Sequence, residues 1–241
     1  MIKLIICAGP AEEYIAKSLT SLNSQIHTDW EAVVMVDPCG DRTYEFAKSF
    51  ESDKIQVHLN DTQMYAMHNI VEGIKLANCS AEDVIGLYDG DDWWYDNLAL
   101  VHLARHYLDP NVLTSHGSYI DSSNPAVYPV TNSPYLKEES FRESRWRGSH
   151  LKAFRYKMWE KIPNSYFRKE DGEYYSVAWD ACIMFPALEI AGHDRVKFIP
   201  EILYVYNNLN PCNDSKMREL EQVRTFKEIA DKTPFHRDDS L

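Results

Sequence analysis

Val84-Ile85-Gly86-Leu87-Tyr88-Asp89-Gly90-Asp91-Asp92-Trp93-Trp94-Tyr95-Asp96 runs from a short apolar segment directly into three carboxylates within four positions. Like charges this close raise one another's pKa values, so an Asp cluster at a strand end implies a divalent metal or another cationic partner. Asp89, Asp91 and Asp92 offer hard oxygen ligands suited to Mg2+ or Mn2+, and Gly90 lets the backbone turn so that Asp89 and Asp91 reach one site. Asp92 taken alone reads equally well as a helix N-cap. Three carboxylates directly after an apolar strand favour the metal.

The residues before this stretch alternate strand-like and helix-like segments. Lys3 to Ala8 is an apolar run ended by Gly9-Pro10, and Glu12 to Leu22 carries Ile15, Leu19 and Leu22 at helical spacing. Trp30 to Val36 is a second strand, broken by Asp37-Pro38-Cys39-Gly40 before a helix over Thr43 to Phe50. Ile55 to Leu59, a helix over Met64 to Ala77, and Val84 to Tyr88 continue the rhythm. It predicts an α/β fold: an open, mostly parallel sheet flanked by helices, with ligands beyond the carboxyl ends of the strands. Asp37 and Asp89 stand at two such ends. A lone Asp37 also fits turn chemistry with Pro38 and Gly40; with Asp89 at a neighbouring strand end, a nucleotide contact becomes the alternative.

From Asn97 a helix with Leu98, Val101, Leu103 and Leu108 stops near Asp109-Pro110. Residues 114 to 150 read as strand pieces and mobile loops, because Pro125, Pro129 and Pro134 interrupt any long helix. A helix is expected around Lys152 to Lys161, with Phe154, Met158 and Ile162 as its apolar stripe. A stronger one covers Ala178 to Ala191, stopped at Gly192. Val196 to Ile199 and Ile202 to Tyr206 read as short strands joined at Pro200-Glu201, and Ser215 to Asp231 as an amphipathic helix with a polar end.

The chain has 241 residues, 37 of them acidic against 25 basic, for a formal net charge of -12. That balance argues against an extended nucleic-acid footprint and against a polybasic membrane patch. Five scattered cysteines, Cys7, Cys39, Cys79, Cys182 and Cys212, suit reduced cytosolic thiols. Met1 to Ala8 is too short for a signal sequence and no stretch is long enough to span a bilayer, so a cytoplasmic protein is expected.

Val36-Asp37-Pro38-Cys39-Gly40-Asp41-Arg42-Thr43, then Asn60 with Met67-His68-Asn69, then Leu87-Tyr88-Asp89-Gly90-Asp91-Asp92-Trp93 resembles the first half of a family 2 glycosyltransferase of the GT-A fold in order and spacing. The resemblance implies a single domain in which residues 1–108 bind the nucleotide-sugar donor. Residues 109–214 then bind the acceptor and carry the catalytic group, and residues 215–241 form a C-terminal helix and tail. It implies that Asp37 contacts the base, Asn69 lies in the donor site, Asp89 faces ribose or sugar, and Asp91 holds Mn2+ or Mg2+, with Asp92 in support. Ala8, Gly9, Glu12 and Gly90 complete the donor side. Trp146-Arg147-Gly148-Ser149-His150-Leu151-Lys152-Ala153-Phe154-Arg155 resembles the acceptor-side segment, bringing in Gly148, Ser149 and His150. Ala178-Trp179-Asp180-Ala181 resembles the point where an acidic residue serves as base.

An inverting transfer needs a carboxylate that takes the proton of the acceptor hydroxyl. Asp180 is the candidate; an N-cap for the helix from Ala181 is its structural alternative, and Asp171 the second choice. Arg145, Arg147, Lys152 and Arg155 offer charge to a diphosphate or an anionic acceptor, or else form a solvated helix face. Trp93 and Trp179 are the aromatic candidates under the site, although Trp94, Tyr95 and Trp146 lie as near in sequence.

The family's usual Tyr-Asn after the first strand is replaced by Ala8-Gly9-Pro10-Ala11, the second Asp after strand two is Pro38, and the usual His after the base helix is missing from Leu203 to Pro211. Asn208, Asn210, Asp214, His193 and His236 are the alternative third ligands. The expected donor is a UDP, GDP or dTDP sugar and the acceptor a glycan or glycolipid, with peripheral membrane contact where that acceptor is lipid-linked. Two other readings stand beside transfer. A metal-dependent nucleotidyltransferase would want a basic Gly-rich loop after strand one, where Gly9-Pro10-Ala11-Glu12-Glu13 is acidic. The other is a noncatalytic nucleotide-sugar or glycan-binding protein that has lost turnover, against which the intact Asp89, Asp91 and Asp180 speak.

Overall fold

A computed structural model describes residues 1–124, 129–130 and 132–241. The first four apolar runs become strands β1 (Ile2–Ala8), β2 (Trp30–Val36), β3 (Ile55–Leu59) and β4 (Val84–Asp89), alternating with helices α1 (Ile15–Asn23), α2 (Thr43–Lys48) and α3 (Tyr65–Leu76). β1 pairs in parallel with β2 and β4, and β2 with β3. These strands are covered on both faces. Leu4 and Ile6 of β1 join the core shared with α1, while Ile5 joins the one shared with α3. That double burial is why they read as continuous apolar runs.

Beyond β4 come β5 (Trp93–Trp94), α4 (Ala99–His106), β6 (Thr114–Asp121), β7 (Pro129–Val130), β8 (Lys152–Arg155), α5 (Tyr156–Trp159), α6 (Trp179–Ala191), β9 (Val196–Tyr206), α7 (Asp214–Met217) and α8 (Glu219–Ala230). The sheet runs in the order β3-β2-β1-β4-β8-β6-β9-β5, with β7 on β6. β8 is antiparallel to both β4 and β6, so β6, and β9 parallel to it, point the same way as β1 to β4. The mostly parallel sheet of the sequence analysis is therefore present, flanked by helices. Among the described residues no helix is long and apolar enough to cross a membrane, and all five cysteines are unpaired.

Four local expectations are corrected. Lys152 to Lys161 is not a helix: Lys152–Arg155 is a central strand buried at every position, and only Tyr156–Trp159 is helical. A strand covered on both faces has no period-2 alternation, and its two cations disguised it further. Val196 to Tyr206 is one strand, in which the pairing with β6 shifts between Gly117 and Tyr119 opposite the Pro200 region. Proline lacks the N–H that a regular ladder needs there, which favours a bulge. A Cβ on Gly117 would lie 3.0 Å from the His150 carbonyl oxygen and 3.2 Å from that of Ile199, so a side chain at this crossing would press on the backbone of both neighbours. The C-terminal helix is broken at Arg218 into α7 and α8. Residues 114 to 150 hold the eight-residue β6 rather than strand fragments alone; Pro125 lies outside the described residues.

Arg155 ties β8 to its surroundings. Its guanidinium donates to the carbonyls of Val112 (2.8 Å), Tyr107 (2.8 Å), Asp109 (3.1 Å) and Glu82 (3.2 Å), and it is only 6% exposed. Each buried carbonyl left without a donor costs about 1–3 kcal/mol. Arg155→Met is therefore expected to lower stability by about 3 kcal/mol or more in urea unfolding; a loss below about 1 kcal/mol would mean that water replaces the guanidinium.

Candidate functional site

The carboxyl ends of β1, β2, β4, β6 and β9 meet in one cleft of 780 Å³. Ala8 and Gly9 line it from β1, Asp37 from β2, Asp89 and Asp91 from β4, Tyr119 and Asp121 from β6, and Tyr206 from β9. β8 runs the other way, so its N-terminal end delivers His150 and Lys152 to the same edge. The first turn of α6 adds Trp179 and Asp180, and the α7–α8 segment adds Asp214 and Arg218.

Asp37 is buried and tightly held. Its Oδ1 accepts from Asn60 Nδ2 (2.7 Å), Asn69 Nδ2 (3.0 Å) and the Met64 N–H (3.1 Å), and its Oδ2 from the Tyr65 N–H (2.9 Å). It thus satisfies donors at the start of α3, a place where negative charge is favoured. Oδ2 keeps a lone pair for a ligand. Asn69, also buried, faces the cleft beside it. Tyr65, at the turn, has φ 63°, a region costly for a residue with a side chain.

At the end of β4, Gly90 donates to the Cys7 carbonyl at 2.8 Å, and a Cβ there would lie 2.8 Å from the Ala8 Cβ. Glycine is required for this contact with β1, a different reason from the turn expected of it. Asp89 and Asp91 face the cleft, whereas Asp92 points away from it and is fully buried. Asp92 Oδ1 accepts the Asn207 N–H at 2.6 Å and fastens the end of β9 to this turn, while Oδ2 has no partner. Asn210 reaches back to Asp91 Oδ2 (2.7 Å) and to the Pro10 carbonyl (3.3 Å).

Burial pushes the Asp89 carboxyl up to about 7; Lys152 opposes this, and the charges of Asp91, Asp180 and Asp214 add to it. Asp91 and Asp214 are raised too, chiefly by burial. Among the described residues no ion pair reaches Asp89 or Asp91. Two carboxylates with raised pKa values at the wall of a cleft offer hard oxygen ligands that fit a divalent cation. Ligand atoms of Asp89, Asp92 and His150 also lie within 4.8 Å of one another. His150 suits a metal poorly in this arrangement. Its Nδ1 is 3.3 Å from Lys152 Nζ, which can only donate, so the neutral ring carries its proton on Nε2. Burial, followed by the nearby Lys152 charge, holds that ring well below the usual imidazole pKa, and it stacks on Tyr204 at 4.7 Å.

Asp180 lies in the first turn of α6 and accepts the Ala181 N–H at 2.9 Å; the residue at the N-cap is Ala178, with φ 53°. The cap reading of Asp180 is thereby replaced by a place in the cleft. Lys152 Nζ rides over Trp179 at 4.4 Å. Asn208, Asn210 and Asp214 line the cleft, but His193 stacks on Phe141 and His236 is exposed, both outside it.

Several expected residues lie elsewhere. Glu12 accepts the Arg42 N–H at 3.0 Å rather than lining the cleft. Trp93 pairs with Val205 and carries Lys17 on its ring. Gly148 is buried against Trp146 and Met184, and the Ser149 carbonyl accepts the Gly117 N–H. Asp171 is exposed and accepts the Glu173 N–H. Arg145 is exposed, Arg147 is paired with Glu139, and Arg155 is internal, which leaves Lys152 alone of the four in the cleft.

The family model described as glycosyl transferase family 2 matches residues 4–185. The chain belongs to this family. Solved glycosyltransferase folds superpose on this family 2 chain over most of its length. A 1–349 fragment of S. aureus TarS matches with a TM-score of 0.68 and 16% identity, covering 95% of this chain and 64% of that one. The same fragment in complex with UDP-GlcNAc matches at 0.62 with 15% identity, over 86% and 58%. Mannosyltransferase PcManGT from Pyrobaculum calidifontis, in complex with GDP-Man and Mn2+, matches at 0.66 with 13% identity, over 97% and 65%. At these identities the likeness is one of GT-A fold. The family 2 chain spans less than two thirds of each of these structures. No curated protein sequence matches it.

Tyr65, Tyr119, Asp121, Tyr206 and Arg218 also line the cleft of this family 2 chain and were not anticipated. Tyr119, Asp121 and Tyr206 obey the same strand-end rule as Asp37 and Asp89, and β6 and β9 would have revealed them had their direction been known.

The raised Asp89 carboxyl has a measurable consequence. Its folded pKa lies above the unfolded value, so the folded state holds the proton more tightly and stability is lost as pH rises from about 4 to 7. In metal-free protein, Asp89→Asn is expected to melt above wild type at pH 8, by on the order of 5 °C, an advantage that shrinks as the pH is lowered toward 4. Equal melting at pH 8 would mean that neither burial nor the neighbouring carboxylates penalise the charged form of Asp89.

Proposed function

We propose that this chain is an inverting glycosyltransferase that moves a sugar from a nucleotide-diphosphate donor to a hydroxyl of a glycan or glycolipid, assisted by Mn2+ or Mg2+. The observation that carries this reading is the single cleft in which Asp37, Asn69, Asp89, Asp91 and Asp180 meet. The neighbouring structures in complex with UDP-GlcNAc, or with GDP-Man and Mn2+, support a nucleotide-sugar donor and a divalent cation.

In this reading the free lone pair of Asp37 Oδ2 accepts from the base, and Asn69 keeps that carboxylate in place. Ala8 and Gly9, with no side chain in the way, let the nucleoside lie against the end of β1. Asp91 and Asp89 would hold the cation, which supplies Lewis-acid neutralisation of the diphosphate leaving group. Asn210 orients Asp91 by occupying Oδ2, and Asp92 supports the turn from behind. Asp180 takes the proton of the acceptor hydroxyl as that oxygen attacks the anomeric carbon on the face opposite the leaving group. His150, a neutral ring held by stacking, lines the acceptor side. Residues 1–108 thus serve the donor and 109–214 the acceptor and the base, while 215–241 contribute Arg218 to the rim.

Calorimetry with UDP, GDP and dTDP is expected to show one nucleotide binding in Mn2+ and at least tenfold more weakly in chelator. No metal-dependent binding of any of the three would overturn the donor reading. Asp180→Asn is expected to bind that nucleotide within twofold of wild type while donor turnover falls by roughly 10²-fold or more. Full turnover in this variant would remove Asp180 as base.

A further inference from the structure

The buried cations of this protein are Lys3, Lys152, Arg155 and Arg195 among the described residues, and Lys152 is the most buried at 2% exposed. Three of them are fully provided for. Lys3 pairs with Glu31 at 2.6 Å, Arg155 donates to its four carbonyls, and Arg195 to those of Ala191, Ile190, Asp238 and Leu241. Lys152 has no ion pair. Its Nζ makes one long hydrogen bond, 3.3 Å to His150 Nδ1, lies over the face of Trp179, and has the Asp89 carboxylate within Coulombic reach. An ammonium taken out of water needs acceptors for its three donors, and a single long hydrogen bond leaves two of them to be met. Lys152 lines the cleft, so a ligand bound there can reach the remaining donors.

The sheet order says which part of the ligand. Asp37 stands on β2, Ala8 and Gly9 on β1, Asp89 and the following Asp91 on β4, and Lys152 on β8, the next strand outward. Three strand spacings separate β2 from β8, roughly 14 Å. A donor laid across these ends with its base at Asp37 and its diphosphate at Asp89 and Asp91 places the transferred sugar over β8, against Lys152 and beside Asp180. We propose that Lys152 is a specificity-determining residue that donates to a hydroxyl oxygen of the transferred hexose. This rests on the donor reading above, with Lys152 on the sugar rather than on the diphosphate.

The test compares, in Mn2+, the affinities of UDP with UDP-glucose and UDP-GlcNAc, of GDP with GDP-mannose, and of dTDP with dTDP-glucose, for wild type and Lys152→Met. The variant is expected to keep its affinity for the free nucleotide within twofold and to lose at least tenfold for the sugar nucleotide. Equal losses for both would place Lys152 on the phosphates, and no loss for either would make it structural; each result overturns the proposal. Wild type that binds none of these ligands overturns the donor reading itself, a different result. Thermal melting checks that Lys152→Met folds. Should it not, Lys152→Gln is read in the same assay, with a loss of at least fivefold expected for the sugar nucleotide alone.

Discussion

Six carboxylates, Asp37, Asp89, Asp91, Asp121, Asp180 and Asp214, line one cleft, and the burial of like charge there, sharpest at Asp89, is the constraint to which the surrounding structure answers. The turn that carries Asp89 and Asp91 is held in place. Gly90 is pressed against β1, Asp92 is fastened to the end of β9, and Asn210 grips Asp91 while also holding the loop after β1. Each of these contacts joins distant parts of the chain, so the fold spends its rigidity on keeping like charges together. Natural sites commonly sacrifice stability in this way for function. The positive φ of Tyr65 and Ala178, both at the cleft, belongs to the same pattern.

The first half of the fold was legible because the sheet is parallel there. β2 and β3 fall where the apolar runs place them, and each run ends in a residue that marks the ligand edge. The second half was not. β8 carries Lys152 and Arg155 in a run of four buried residues, and nothing in its pattern separates it from the start of a helix. A Pro within β9 suggested two strands because the bulge that accommodates it depends on a partner far away in sequence. Glu12, Gly148 and Ser149 were drawn toward the site by their neighbours in sequence, yet hydrogen bonding and close packing use them elsewhere.

The site residues divide along the same line. Asp37, Asn69, Asp89 and Asp91 follow from strand ends, and Asp180 from the segment opening α6. Tyr119, Asp121, Tyr206 and Arg218 depend on strand directions and on a helix break that periodicity does not encode. The cleft is therefore half local in origin and half tertiary. Its charge is written in single stretches of sequence, while its aromatic wall is assembled by the sheet.

The sheet order has a further consequence. β4 is flanked on its outer side by β8, and β5, which directly follows the acidic turn, is completed only by β9. As the chain leaves the ribosome, β4 and β5 wait for partners that arrive near residues 152 and 204. Until then β4 is an exposed apolar edge, a template for pairing with other nascent chains. Such long-range pairing also makes for slow folding. The acidic stretch after β4 leaves one end of that edge charged during the wait, which disfavours pairing with another chain there.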